Sequence, residues 1–182
     1  AAKYAGIWKP EGSPLKLWTE KQSKLLQGWL GQRNHAVKVR YAMRYGSTSI
    51  ASQLDAFKAE GVTRVLVVPA YPQYSGTTTA SVFDAVYAWG QQTRTLPELR
   101  FVNHYHDDPA YISALATSVQ RYWKEHGRPD QLVMSFHGVP ARSGMQPLPQ
   151  VPVLDRIASG GLPATPHPVC HPLGDALADI LR

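Results

Sequence analysis

Four short segments concentrate the side chains able to do chemistry. They are Arg44-Tyr45-Gly46-Ser47-Thr48-Ser49; Tyr71-Pro72-Gln73-Tyr74-Ser75-Gly76 with Thr77-Thr78-Thr79; His104-Tyr105-His106-Asp107-Asp108-Pro109; and His137-Gly138-Val139-Pro140. Their rings suit a flat apolar ligand, and Arg44 with the hydroxyl groups suits an anion. His137 is the sharpest single residue, because it closes an apolar run over 132–136 and precedes a turn fixed by Gly138 and Pro140. A neutral imidazole there can accept a proton or bind a metal ion, although a lone His is more often structural. His104 and His106 share one face of an extended chain, and Asp107 or Asp108 adds oxygen, a donor set that suits a transition metal. The competing reading is a solvated loop in which Asp107-Asp108-Pro109 starts a helix. Residues 47–49 and 77–79 read first as helix N-caps and second as donors to a phosphate or carboxylate. Arg44 alone is more often a surface residue than a ligand, and Tyr71 and Tyr74 in a Pro-rich turn are more often packing groups.

These segments need a frame that brings them to one edge. Leu15, Trp18, Leu25, Leu26, Trp29 and Leu30 recur at helical spacing. Val37, Val39, Tyr41 and Met43 alternate, which predicts a strand. Ile50, Leu54 and Phe57 share a helical face, with Gly61 as its stop. The apolar run 65–68 predicts a buried parallel strand. Val82, Val86 and Trp89 predict a helix, and Leu99, Phe101 and Asn103 a strand. Ile112, Leu115, Val119 and Trp123 predict a helix with Pro109 near its start. The run 132–136 predicts a last strand. Strands separated by helices argue for an open, mostly parallel α/β sheet, whose ligands bind beyond the carboxyl ends of the strands. All four segments follow such ends.

Composition narrows the classes further. Of 182 residues, 43% are apolar and 18% charged, so a core can form. The net charge of +6 permits anionic partners, but the basic residues are scattered rather than clustered, which argues against nucleic acid. The single cysteine, Cys170, excludes a disulfide framework within the chain and any multi-cysteine metal site. No apolar run approaches the ~18 residues of a membrane span. The chain begins Ala1-Ala2-Lys3, so its start says nothing of targeting. Glycine-rich phosphate loops, GxSxG and CxxC are absent. From Ser143 onward there is no aromatic residue and no Lys, while seven of the 15 prolines fall there, which predicts a poorly structured tail over 143–182.

In four places the sequence resembles the ferrochelatases, enzymes that insert Fe(II) into a porphyrin. The matching segments are Glu11-Gly12-Ser13-Pro14-Leu15, Met43-Arg44-Tyr45-Gly46, Tyr71-Pro72-Gln73-Tyr74-Ser75 with its Thr run, and Ser135-Phe136-His137-Gly138-Val139-Pro140. Order and spacing agree from residue 1 to about 142, in the style of the proteobacterial branch. The resemblance implies two Rossmann-like halves, each a four-stranded parallel sheet flanked by helices. On this division residues 1–126 form a first chelatase-like domain lacking its N-terminal strand. Residues 127–142 carry the crossover and the first strand of a second domain, and 143–182 are atypical.

The resemblance makes His137 the metal-binding and proton-abstracting histidine. It implies that Tyr4, Ser13 and Tyr105 contact the porphyrin, that Lys3 accompanies Tyr4, and that Arg44 and Tyr45 lie near the metal-entry side. The implied substrates are protoporphyrin IX and ferrous iron, with no permanently bound cofactor, in a cytoplasmic protein that touches a membrane peripherally. The chemistry suits these residue types: apolar and aromatic walls bury a porphyrin plate, and polar donors hold its propionates. The family's second-domain carboxylate opposite the histidine has no counterpart in 143–182, which points to weak catalysis by this chain alone. The break in composition at residue 143 suggests a tail read out of frame. Two further readings are a porphyrin or haem binder without turnover and an α/β enzyme for a phosphorylated ligand.

Overall fold

The computed structural model describes residues 6–133. The described residues fall into two compact units, one built on 6–70 and 81–101, the other on 71–80 and 102–133. The described elements run α1 (Pro14–Gln32), α2 (Ile50–Ala59), β1 (Arg64–Val67), α3 (Thr79–Gln92), β2 (Glu98–Phe101) and α4 (Pro109–His126).

Helix α1 starts where capping chemistry places it. The Ser13 hydroxyl accepts the Lys16 N–H at 3.3 Å, and Pro14 fills the first turn, where its missing N–H costs nothing. It ends on Asn34 at φ 59°, with Asn34 N–H bonded to the Gly31 carbonyl and His35 N–H to that of Leu30. This is a Schellman closure with Asn in the left-handed position. Helix α2 uses the same device. Ser49 caps its start by accepting the Ser52 N–H, and Gly61 at φ 72° closes its end. The closing bonds are Gly61 N–H to Lys58 and Val62 N–H to Phe57. The stop read at Gly61 therefore has a stereochemical cause, since a side chain at that φ is strained.

The core of the first unit is Ile50 and Leu54 from α2, Val65 from β1, and Val86 and Trp89 from α3. Val86 is fully buried, and the Trp89 indole N–H donates to Asp55 at 2.8 Å, which satisfies the one polar atom of a large buried ring. Strands β1 and β2 pair in parallel, with Val65 opposite Leu99 and Val67 opposite Phe101. The core-facing residues of β1 alternate with the exposed Leu66.

Two expected strands differ. The alternating segment at 37–43 forms no ladder; Met43 makes one isolated parallel bridge to Ser49. Instead the Gln27 side chain acts as its partner, donating to the Val37 carbonyl at 2.9 Å and accepting the Val39 N–H at 2.6 Å. Two of its backbone groups are thus met by an amide on α1 rather than by a neighbouring strand. The run expected at 132–136 is not a strand at Leu132 and Val133, and the remainder lies outside the described residues. The parallel sheet thus has two strands among the described residues, where four were expected.

In the second unit, Asp108 caps α4 by accepting the Ala110 and Tyr111 N–H groups, with Pro109 following. This bears out the helix start read at 107–109. Ile112 and Ala116 are buried, and Leu115, Val119, Trp123 and Leu132 pack on them. Gly127 at φ 89° ends the helix.

Candidate functional site

Three of the segments singled out by residue type fall within the described chain, each held differently. Arg44 follows the strand-like segment and reaches across 37 residues of sequence to Ser81 in α3. Its Nε–H donates to both the Ser81 carbonyl and hydroxyl, each at 3.0 Å. The guanidinium also lies over the Tyr45 ring, 5.0 Å from its centre. Among the described residues no carboxylate pairs with it; the ion pairs there are Glu20–Lys24, Glu60 with Lys38 and Arg40, and Glu98–Arg100. Arg44 is therefore a cation fixed at one nitrogen, with charge left to offer an anionic ligand. Tyr45 is 79% exposed, so its ring is surface that a flat ligand can cover. The Ser81 anchor was not legible in the sequence, because nothing local links the two positions.

Ser13 sits at the start of α1 and serves there as N-cap. That use occupies an oxygen lone pair and leaves the hydroxyl proton for another partner.

The turn after β1 is closed by its own hydrogen bonds. Ser75 is buried, its carbonyl accepts the Thr78 and Ala80 N–H groups, and its hydroxyl accepts the Thr77 N–H. Thr79 is fully buried at the start of α3. Ser49 takes the capping role first read for 47–49, whereas in the 77–79 run Thr79 is packed and the hydroxyl that accepts an N–H is that of Ser75, outside the run. The Pro72 carbonyl of this turn accepts the Tyr105 N–H at 2.9 Å, which ties it to the loop after β2.

On that second loop Tyr105 is half-buried, edge-on to Tyr111 with ring centres 5.3 Å apart. Burial, and to a lesser degree Tyr111, pushes its phenol above the usual tyrosine range, so it stays a neutral O–H. His106 is buried, with neither ring nitrogen hydrogen-bonded. Burial pushes its imidazole below the ordinary range; Asp107 and the Pro72 carbonyl oppose this, and His104 reinforces it. The Pro72 carbonyl lies close enough to favour the charged ring, yet no hydrogen bond of ordinary geometry forms. A buried group left unmet in this way costs about 1–3 kcal/mol. Residue type alone suggested a His–His–Asp set here, but among the described residues no three His, Cys, Asp or Glu side chains gather around one point. Asp108 is instead consumed as the α4 cap. Lys3, Tyr4 and His137 lie outside the described residues.

The described chain is thus a helix-flanked parallel α/β protein whose strand-end loops carry aromatic rings, an arginine held by Ser81 without a carboxylate among the described residues, and buried hydroxyl groups. Residues 1–146 match the family model for ferrochelatase, and the chain belongs to the ferrochelatase family. It is 67% identical over 143 residues to a ferrochelatase of a Polaromonas species, covering 79% of this chain and 39% of that protein. Identity is 66% to the ferrochelatase of Methylibium petroleiphilum and 63% to that of a Janthinobacterium species, with the same coverage of 79% and 39%. The chain therefore spans about two fifths of the length of these relatives (39%). Among the described residues no helix is long and apolar enough to cross a membrane.

Proposed function

We propose that this chain carries the porphyrin-handling part of a metal-chelating lyase that inserts Fe(II) into protoporphyrin IX in haem biosynthesis. The observation that carries the reading is the family match over 1–146, which includes every residue to which the resemblance assigns a role. In this reading His137 takes the pyrrole protons or holds the incoming ion. Lys3, Tyr4, Ser13, Arg44, Tyr45 and Tyr105 contact the porphyrin. The geometry of the described members supports this: Arg44 is held by Ser81 with charge to spare for a propionate, and Tyr45 offers an open ring face. Tyr105 stays protonated in a partly desolvated setting, so it adds no charge beside an anionic ligand.

The same reading divides the chain at 1–126, 127–142 and 143–182, with a four-stranded Rossmann-like sheet in the first part and no permanent cofactor. It is a cytoplasmic protein with peripheral membrane contact. The family match ends at residue 146, which supports a tail of different origin, such as a shifted reading frame.

Anaerobic titration of the chain with protoporphyrin IX, followed by Fe(II), tests the proposal. A shifted Soret band, weakened by Arg44→Ala, with slow metallation that His137→Ala abolishes, is the expected result. A chain that leaves the porphyrin spectrum unchanged, and is protected instead by phosphate or a nucleotide, overturns it.

A further inference from the structure

The imidazole of His106 is a polar group that the porphyrin reading leaves unused. It is 3% exposed, and both ring nitrogens lack a hydrogen-bond partner. Buried polar atoms in folded proteins are nearly always bonded, so an imidazole whose nearest protein acceptor, the Pro72 carbonyl, makes no hydrogen bond of ordinary geometry calls for a further partner, a water or an ion. The His104 ring stands beside it, with centres 5.5 Å apart and planes at 52°. Two imidazoles bound to one ion through nitrogens at about 2.1 Å bring their ring centres to about 5 Å. The observed ring-centre separation is close to that value. His104 is exposed and gives access from solvent. Asp107, also exposed, adds negative potential that His106 feels.

We infer that His104 and His106 form a two-histidine site for a divalent transition-metal ion of borderline softness, with water on the His104 side completing its shell. Imidazole donors select such ions over magnesium or calcium. With no third side-chain ligand gathered among the described residues, the site is open, and its ion exchanges rather than staying as a structural metal. The inference uses neither His137 nor a porphyrin contact, so it stands apart from the proposed function.

Cobalt(II) is the probe, because its visible absorption reports ligation directly. The chain carries His137→Ala and Cys170→Ser, which remove the other sequence-predicted metal ligand and the only thiol. One bound cobalt ion with visible absorption bands, displaced by Zn(II), is expected. His104→Ala and His106→Gln each weaken binding by at least about tenfold, the loss that removal of even an outer partner brings. Absence of cobalt absorption, or binding unchanged by His104→Ala, overturns the inference. His104 is exposed, so its substitution decides the question even where His106→Gln lowers the helical signal.

Discussion

Helices α1 and α3 belong to the same unit and meet opposite fates. Helix α1 carries Leu15, Leu17, Trp18, Leu25, Leu26, Trp29 and Leu30, yet none of its residues is buried. Helix α3 carries fewer large apolar groups, yet its Val86 and Trp89 form the centre of the core with Val65 of β1. The exposed rings of α1 have cations over them: Lys21 lies over Trp18, and Arg33 lies over Trp29 with its charge 3.7 Å from the ring centre. An apolar stripe states what a helix is able to bury. Whether it does so depends on a complementary surface, and among the described residues α3 has one where α1 does not.

Substitutions sharpen this contrast. Trp89→Ala removes a buried ring and strands the Asp55 carboxylate, so thermal or urea unfolding of the chain should show a loss of about 3–5 kcal/mol. The same change at Trp18, 58% exposed, should cost no more than about 0.5 kcal/mol. Equal losses at the two sites would mean that α1 is packed in solution and break the comparison.

A smaller effect separates capping from packing. Asp108→Ala removes the acceptor for two N–H groups at the start of α4 and should lower stability by about 1 kcal/mol, with Asp108→Asn recovering most of it. Circular dichroism during urea unfolding reads both changes. If Asp108→Ala costs nothing, packing of Ile112 and Ala116 alone sets where α4 begins.

The smallest effect concerns Glu60, whose carboxyl is held below the usual range first by its hydrogen bond to Lys38 and then by Arg40. A lowered carboxyl pKa means that the unfolded chain binds more protons through the acid window. Its contribution is therefore present above the unfolded carboxylate pKa, near 4.5, and is lost as pH falls through the lower folded value. The group is exposed and screened, so Glu60→Gln should give only a slight flattening of stability against pH between neutral and acid conditions. An unchanged acid limb would show that the Lys38 and Arg40 contacts are not populated in solution.

The site was legible where its geometry is local. The Asp107-Asp108-Pro109 helix start, the stop at Gly61 and the capping use of Ser49 follow from residue types within one turn of each other, and the structure bears out all three. The Arg44–Ser81 anchor was not legible, since it joins groups 37 residues apart. The spacing of His104 and His106 was read as one pair on one face, but spacing carries no information on solvent. Only the fold exposes one ring and buries the other without a partner.

Backbone stereochemistry, capping groups and periodicity are written in the sequence, because each acts over a few residues. They sufficed for the four helices, for β1 and β2 near their expected places, and for the motif order by which family membership is recognised. Tertiary structure decided which stripe was buried and which strand found a partner. The alternation at 37–43 is as regular as that of a strand, but a ladder needs a second backbone, and there the Gln27 side chain takes that place. Pairing and burial are properties of two surfaces brought together, and a one-dimensional pattern describes only one of them.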